Sequence, residues 1–151
     1  MTYPKILVGC PTSNYHSYCF DDYRNSVKNL SYDNYSIVLV DNSKDTEYYK
    51  NLEDEKIRVI RCSYSDNPID RIVRSRNILK EVALNEGYDY FLSLEQDVIP
   101  PIDIIKRLLR RKKDIVSGVY FGEYIRYNQK RTLPMLWVTK KGDITKKQYV
   151  P

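Results

Sequence analysis

A chain of 151 residues, 42% of them apolar, can bury one real core and has little left for a second. Its 25 basic and 20 acidic residues leave a net charge of +5, which admits an anionic partner such as a nucleotide, a nucleic acid or a lipid headgroup without choosing among them. No apolar run approaches membrane-spanning length, and Met1-Thr-Tyr-Pro-Lys5 leads straight into a strand pattern rather than a secretory leader. Cys10, Cys19 and Cys62 lack metal-like spacing and read as reduced thiols of a cytosolic protein. His16 beside Cys19 is too little to make a metal site.

Lys5-Ile-Leu-Val-Gly-Cys10 has the pattern of a short buried strand, and Pro11-Thr-Ser-Asn14 follows as a loop with small hydroxyls and free backbone N–H groups. From Ser17 to Asn29 the spacing predicts a helix with Phe20, Tyr23, Val27 and Leu30 on one face. Tyr35 to Asp41 is a second buried strand, closing on Asp41-Asn42-Ser43. Lys44 to Leu52 reads as a weak polar helix, and the alternation from Lys56 to Arg61 as a third strand nearer an edge. Asn67, Pro68 and Asp70 then make a helix start: a cap, a proline suited to the first turn and an acid at the positive end. This helix is expected to reach Glu86 and stop at Gly87, with Ile69, Ile72, Val73, Leu79, Val82 and Ala83 as its apolar stripe. Arg76 falls on or beside that stripe, so its guanidinium must find an anion or a carboxylate. Arg71 and Arg74, on a neighbouring face, read as surface arginines.

The stretch Tyr90 to Pro101 carries most of the chemistry. Tyr90, Phe91, Leu92 and Leu94 read as a strand buried on both faces, which ends in Glu95 and Asp97 and is stopped by Pro100-Pro101. Side chains two apart on an extended backbone share a side, so Glu95 and Asp97 can converge while Gln96 points away. Two hard carboxylate ligands at a strand exit suit Mg²⁺ or Mn²⁺, which take their other ligands from phosphates and water. An amphipathic helix is expected from Ile102 to Lys113, with Ile102, Ile105, Leu108 and Leu109 inward and Arg110-Arg-Lys-Lys113 at its far end. Those four cations read first as a solvated, dipole-matched face and second as a peripheral membrane contact. Asp114 to Phe121 is expected as a fifth strand. A polar loop from Gly122 to Thr132, a short strand from Leu133 to Thr139, a turn at Lys141-Gly-Asp143 and a Lys-rich stretch complete the chain.

Alternating strands and helices of this kind predict an α/β/α sandwich with a mainly parallel sheet, whose ligands bind outside the carboxyl ends of the strands. That edge collects Pro11 and Thr12, Asp41, and the pair Glu95 and Asp97, with Arg76 nearby. The glycine patterns of a P-loop or a dinucleotide fingerprint are absent. Such a set of acids, backbone donors and an arginine describes a nucleotide-diphosphate site.

With these residues in view, the sequence resembles a glycosyltransferase of the GT-A fold, a Rossmann-like architecture, close to the family-2 type and similar to its small archaeal and viral members. Ile6-Leu-Val-Gly-Cys-Pro-Thr12 is similar to the first strand and nucleotide loop of that family. Val38-Leu-Val-Asp-Asn-Ser43 resembles its second-strand motif, which implies that Asp41 contacts the base. Ser75-Arg-Asn77 resembles its helix motif, placing Arg76 near the diphosphate. Leu94-Glu-Gln-Asp-Val-Ile-Pro-Pro101, followed by Asp114 to Phe121, resembles its metal-holding DXD-like segment and the strand after it.

The resemblance implies a single nucleotide-sugar-binding domain over 1–151, in which Glu95 and Asp97 hold Mn²⁺ or Mg²⁺ on the donor diphosphate. The donor would be a UDP- or GDP-linked sugar and the acceptor a glycan, a lipid or a protein, with inversion at the anomeric carbon. Glu95 departs from the usual aspartate by one methylene. The family's second acidic motif, which deprotonates the acceptor, is not recognisable, and Glu123 is only a weak candidate for that base. The acceptor half is therefore expected to be short, missing or supplied by a partner. Rival readings are a nucleotide-sugar-binding module without turnover and a nucleotidyltransferase. Specific nucleic-acid binding is not expected, and the location is expected to be cytoplasmic or at the inner membrane surface.

Overall fold

The computed structural model describes residues 3–52, 54–126, 129–134, 137–139 and 147–149. It divides into two compact units, Met1–Leu109 and Arg110–Pro151, where the sequence reading has one domain over 1–151.

The first unit is a four-stranded parallel sheet. Its strands are β1 (Ile6–Thr12), β2 (Tyr35–Asp41), β3 (Ile57–Arg61) and β4 (Tyr90–Ser93), in the spatial order β3-β2-β1-β4. Helices α1 (Phe20–Lys28), α2 (Glu47–Lys50), α3 (Pro68–Asn85) and α4 (Ile104–Leu109) alternate with or follow the strands. This is the expected α/β architecture with a parallel sheet, and the period-2 alternation of the strands sorts its two faces. Ile6, Val8 and Cys10 of β1 and Ile37 and Leu39 of β2 share one core with Phe20, Tyr23 and Val27 of α1 and with Ile105 of α4. Leu7 of β1 and Val38 and Val40 of β2 point the other way, into a core with Leu79 and Val82 of α3. Hydrophobic burial on both faces explains why the two central strands read as continuous apolar runs.

Several boundaries differ from the sequence reading. Strand β1 runs on through Pro11 and Thr12, so the loop begins at Ser13. A proline fits inside β1 because of the direction its nitrogen faces. The Gly9 carbonyl accepts from Leu94 N on the β4 side, and the Thr12 carbonyl accepts from Asn42 N on the β2 side. Alternation turns Pro11 toward β4, whose pairing with β1 has already stopped at Gly9 opposite Ser93, so the missing N–H breaks no ladder bond. The first helix opens with a 3-10 segment, Asn14–Cys19, capped by the Ser13 side chain, and becomes α-helical only at Phe20. The expected helix from Lys44 to Leu52 is the four residues of α2.

Helix α3 starts as anticipated, with the Asn67 side chain accepting from Ile69 N and Pro68 in the first turn, and Gly87 beyond its end takes a φ of +67°. Its buried stripe is Ser75, Leu79 and Val82 instead of the full apolar set. Ile69 is 69% exposed, and Ile72 and Val73 are exposed too. Eighteen helical residues span about 27 Å, more than the roughly 23 Å of a seven-residue strand. The first turns of α3 accordingly overhang the carboxyl edge of the sheet.

Strand β4 lies at the edge of the sheet in this unit, which leaves Tyr90 and Phe91 exposed instead of buried on both faces. Helix α4 is shorter than expected, with Ile105 buried and Ile102 exposed, and Arg110-Arg-Lys-Lys113 lies beyond its end. In the second unit residues 114–120 form no strand, and Ile115 is 92% exposed. The expected polar loop after them is instead an antiparallel hairpin of β5 (Phe121–Arg126) and β6 (Gln129–Pro134). Strands β7 (Trp137–Thr139) and β8 (Lys147–Tyr149) pair antiparallel, and the expected turn at Lys141-Gly-Asp143 lies outside the described residues.

Gly9 marks the closest approach of helix to sheet. A Cβ there would come within 2.6 Å of the Phe91 ring and 2.9 Å of a Leu79 methyl. Phe91 has solvent to turn into, but Leu79 is fully buried. Gly9→Ala is therefore expected to destabilise the fold by about 1–3 kcal/mol, read as a lower urea midpoint with an unchanged slope.

Candidate functional site

The spatial order of the sheet fixes where a ligand can sit. From β1 the chain moves outward through β2 and β3, then α3 carries it back to β4 on the other side of β1. The crevice between β1 and β4, outside their carboxyl ends, is the topological switch point. Two segments meet there: Ser13–Cys19 after β1 and Leu94–Val98 after β4.

They are joined by Gln96, which is buried between two exposed acids. The Gln96 Oε1 accepts from the Thr12 hydroxyl and from Ser13 N at 3.4 Å. Its Nε2 donates to the His16 carbonyl and to the Tyr48 hydroxyl, both at 2.9 Å. Cys19 Sγ adds a second tie, donating to the His16 carbonyl at 3.2 Å and the Gln96 carbonyl at 3.5 Å. His16 thus serves this region through its backbone.

Glu95 and Asp97 are both exposed and Gln96 between them is buried, in a turn closed by Val98 N donating to the Glu95 carbonyl at 3.1 Å, not on the extended backbone the sequence reading assumed. Their situations differ. Glu95 is ion-paired with Arg76, the carboxylate that the arginine had to find. Asp97 has no hydrogen bond or ion pair among the described residues. Arg76 is half exposed instead of inward, although its neighbour Ser75 is fully buried.

Asp41 is fully buried at the end of β2. One of its oxygens accepts from Ser43 N at 2.9 Å and from the Ser43 hydroxyl at 2.6 Å, and the other is ion-paired with Arg61. Arg61 also donates to the Ser43 carbonyl. Next to it, Asn42 Nδ2 donates to Ser75 Oγ at 3.0 Å, which pins α3 to the end of β2. Asn14 N donates to Ser43 Oγ at 2.8 Å, so the loop after β1 rests on this same support.

Thr12 and Pro11 are buried with Asp41 in the floor of the site, while Asn14 and Tyr15 are reachable from solvent. Glu123 lies on β5 in the second unit, where it is ion-paired with Lys130 at 2.8 Å. Gln96, Arg61, Ser43 and Tyr48 escaped the sequence reading as site residues. For Arg61 a signal existed: Thr12, Asp41 and Arg61 are register partners across three adjacent strands.

Asp97 is the donor best placed for a hard divalent cation. It is an exposed carboxylate not paired with a cation among the described residues, and Mg²⁺ or Mn²⁺ needs only one or two of these beside phosphates and water. Glu95 becomes available as a second donor if Arg76 finds another anion. The Cys19 thiol reports on this charge: burial first, and then the negative charge of Asp97, raise its pKa above the ordinary thiol value.

No family model matches the sequence, and no curated protein matches it. Among solved structures the chain is similar to the crystal structure of S. aureus TarS, a glycosyltransferase, at 21% identity and a TM-score of 0.49. The match covers 70% of this chain and 19% of that one, so this chain spans a small part of the length of that protein.

Two outcomes are expected from these contacts. Arg61→Ala leaves the Asp41 carboxylate buried without its cation and should cost about 3 kcal/mol or more, measured by urea denaturation. With its pKa raised, Cys19 is mostly protonated at neutral pH and should alkylate slowly with iodoacetamide, faster as pH climbs through that raised value. Asp97→Asn removes the negative charge, lowers the pKa and should speed alkylation at fixed neutral pH; an unchanged rate would show that Asp97 does not act on the thiol.

Proposed function

We propose that this chain is the donor-binding part of a metal-dependent glycosyltransferase that moves a sugar from a nucleotide-diphosphate donor to an acceptor hydroxyl. The observation that carries the reading is the exposed carboxylate of Asp97 at the switch point, which has no ion pair among the described residues. The sequence segments that resemble the GT-A family support it, three of them on β1, β2 and the carboxyl end of β4 and one on α3, although Asp114 to Tyr120, expected as the strand after the acidic motif, forms none.

In this reading Asp97, joined by Glu95, holds Mn²⁺ or Mg²⁺ against the donor. The cation supplies neutralisation of the charge that develops on the departing nucleotide diphosphate. Arg76 exchanges Glu95 for a phosphate oxygen. Asn14 and Tyr15 offer the exposed contacts of the loop to base and ribose, while Asp41, Pro11 and Thr12 set the floor beneath them. Direct attack by the acceptor hydroxyl would invert the anomeric carbon. The base is UDP's or GDP's, and the acceptor a glycan, a lipid or a protein. Arg110-Arg-Lys-Lys113, followed by the exposed Ile115, provides charge and apolar surface for a contact with an anionic membrane face.

A nucleotide-sugar-binding module without turnover is the second reading. It is favoured by the sequence offering no recognisable motif for the acceptor base, its one candidate, Glu123, being an exposed strand residue beside Lys130.

Calorimetric titration with UDP and with GDP, each with and without Mn²⁺, tests the proposal. Saturable binding that requires the metal, prefers one base, disappears in Asp97→Ala and persists in Lys112→Ala is the expected result. No binding to a folded protein would remove the proposal and leave only the fold. Slow release of free sugar from the matching sugar nucleotide then distinguishes an enzyme from a module.

A further inference from the structure

Gln96 sits in the middle of the acidic turn, yet it touches neither Glu95 nor Asp97 with its side chain. Its four partners lie on β1, on the loop after β1 and on α2. Two of those partners fix the chemistry required at this position. Ser13 N is a backbone donor and needs an acceptor; the His16 carbonyl is a backbone acceptor and needs a donor. A carboxylate could serve the first and would repel the second, and a hydrocarbon could serve neither. A side-chain amide answers both, with an acceptor and donors on separate atoms, and because the site is buried an unanswered group is costly. The same two backbone groups also settle which end of the amide is oxygen.

We infer that Gln96 is a positioning residue that makes the loop after β1 and the acidic turn after β4 a single unit, so that Asp97 and the loop's backbone donors approach a donor nucleotide at a fixed mutual geometry. The geometry explains why such a device is needed. Ladder bonding between β1 and β4 ends at Gly9, with Leu94 N as the last donor, and Pro11 offers no N–H toward β4. Without sheet hydrogen bonds beyond that point, the two segments that form the site have only side chains to hold them together. Gln96 and the weaker Cys19 thiol contacts supply that link. Tyr48 extends it to α2, and its hydroxyl is also within 3.5 Å of Thr12 Oγ1. This role rests on the donor-site reading for its consequence and on the hydrogen bonds alone for its mechanical part.

The experiment separates those two parts. Hydrogen exchange is followed in the full chain for the wild type, Gln96→Leu and Gln96→Glu, and the three are titrated with UDP and GDP in the presence of Mn²⁺. In both variants the amides of residues 13–19 and 95–98 should lose protection together while those of β2 and β3 keep theirs. Nucleotide affinity should fall about 10- to 100-fold, the range usual for groups that orient ligands without touching them. Val82→Ala, which loosens the core near the far end of α3 and leaves this bridge intact, should keep wild-type affinity, which separates positioning from general loss of stability. Should Gln96→Leu fail to fold, Gln96→Glu, close in size but with a charged carboxylate oxygen in place of the amide donor, carries the exchange test, and Gln96→Met, uncharged and of similar length, carries the affinity test. Protection unchanged in both segments, or lost in one alone, overturns the inference whether or not nucleotide binds. Coupled loss of protection with wild-type affinity overturns the positioning role. A wild type with coupled segments and no nucleotide binding removes the functional reading and leaves the mechanical link standing.

Discussion

Two parallel strands of unequal length stand on either side of β1, and the rest of the site follows from that inequality. On one side β2 accompanies β1 to its last residue, so the chain ends at Thr12 and Asp41 are bound into one floor. On the other side β4 gives out three residues earlier than β1 does, at Ser93 opposite Gly9. A notch opens there with backbone groups on both walls, and buried backbone groups must be paired. Gln96 closes the notch from inside, which obliges its two neighbours to face out. The exposure of Glu95 and Asp97 is thus a by-product of burying the amide between them.

Charge is distributed over this edge in two grades. Asp41 and Arg61 form a pair whose carboxylate is fully buried and fully hydrogen-bonded, so it holds the ends of β2 and β3 and the Ser43 turn in one arrangement. Arg76 and Glu95 form a pair that is half exposed on both sides. Solvent screens the second pair and makes it exchangeable at little cost, whereas separating the first would strand a charge. The permanent pair is structural, and the exchangeable pair stands where an anionic ligand would arrive.

Much of the first unit could be read from residue patterns, since its two central strands are buried on both faces and its long helix carries a full set of end signals. Asn67, Pro68 and Gly87 placed α3 almost to the residue. The errors of burial share one cause. Periodicity records which residues are apolar and is blind to how far a helix extends past its sheet or where a sheet ends. Ile69, Ile72 and Val73 continue a proper stripe and are nonetheless exposed, and Tyr90 and Phe91 have the character of a central strand on what is an edge. At the site, the acids were legible because their types and spacing announce them. Gln96 was legible only as the residue pointing the other way; its importance depends on what lies opposite, and that is set by chain segments some eighty residues distant.

Pro11 has a consequence beyond the site. Where β4 stops, the flank of β1 would otherwise present an open row of peptide groups, the kind of surface onto which a strand from another molecule can zip. A proline at that place withholds the N–H such a visitor would need, and the Gln96 amide claims the next donor along, at Ser13. The gap proposed here for a small ligand is in this way closed to a foreign polypeptide, so openness to chemistry need not bring a tendency to aggregate.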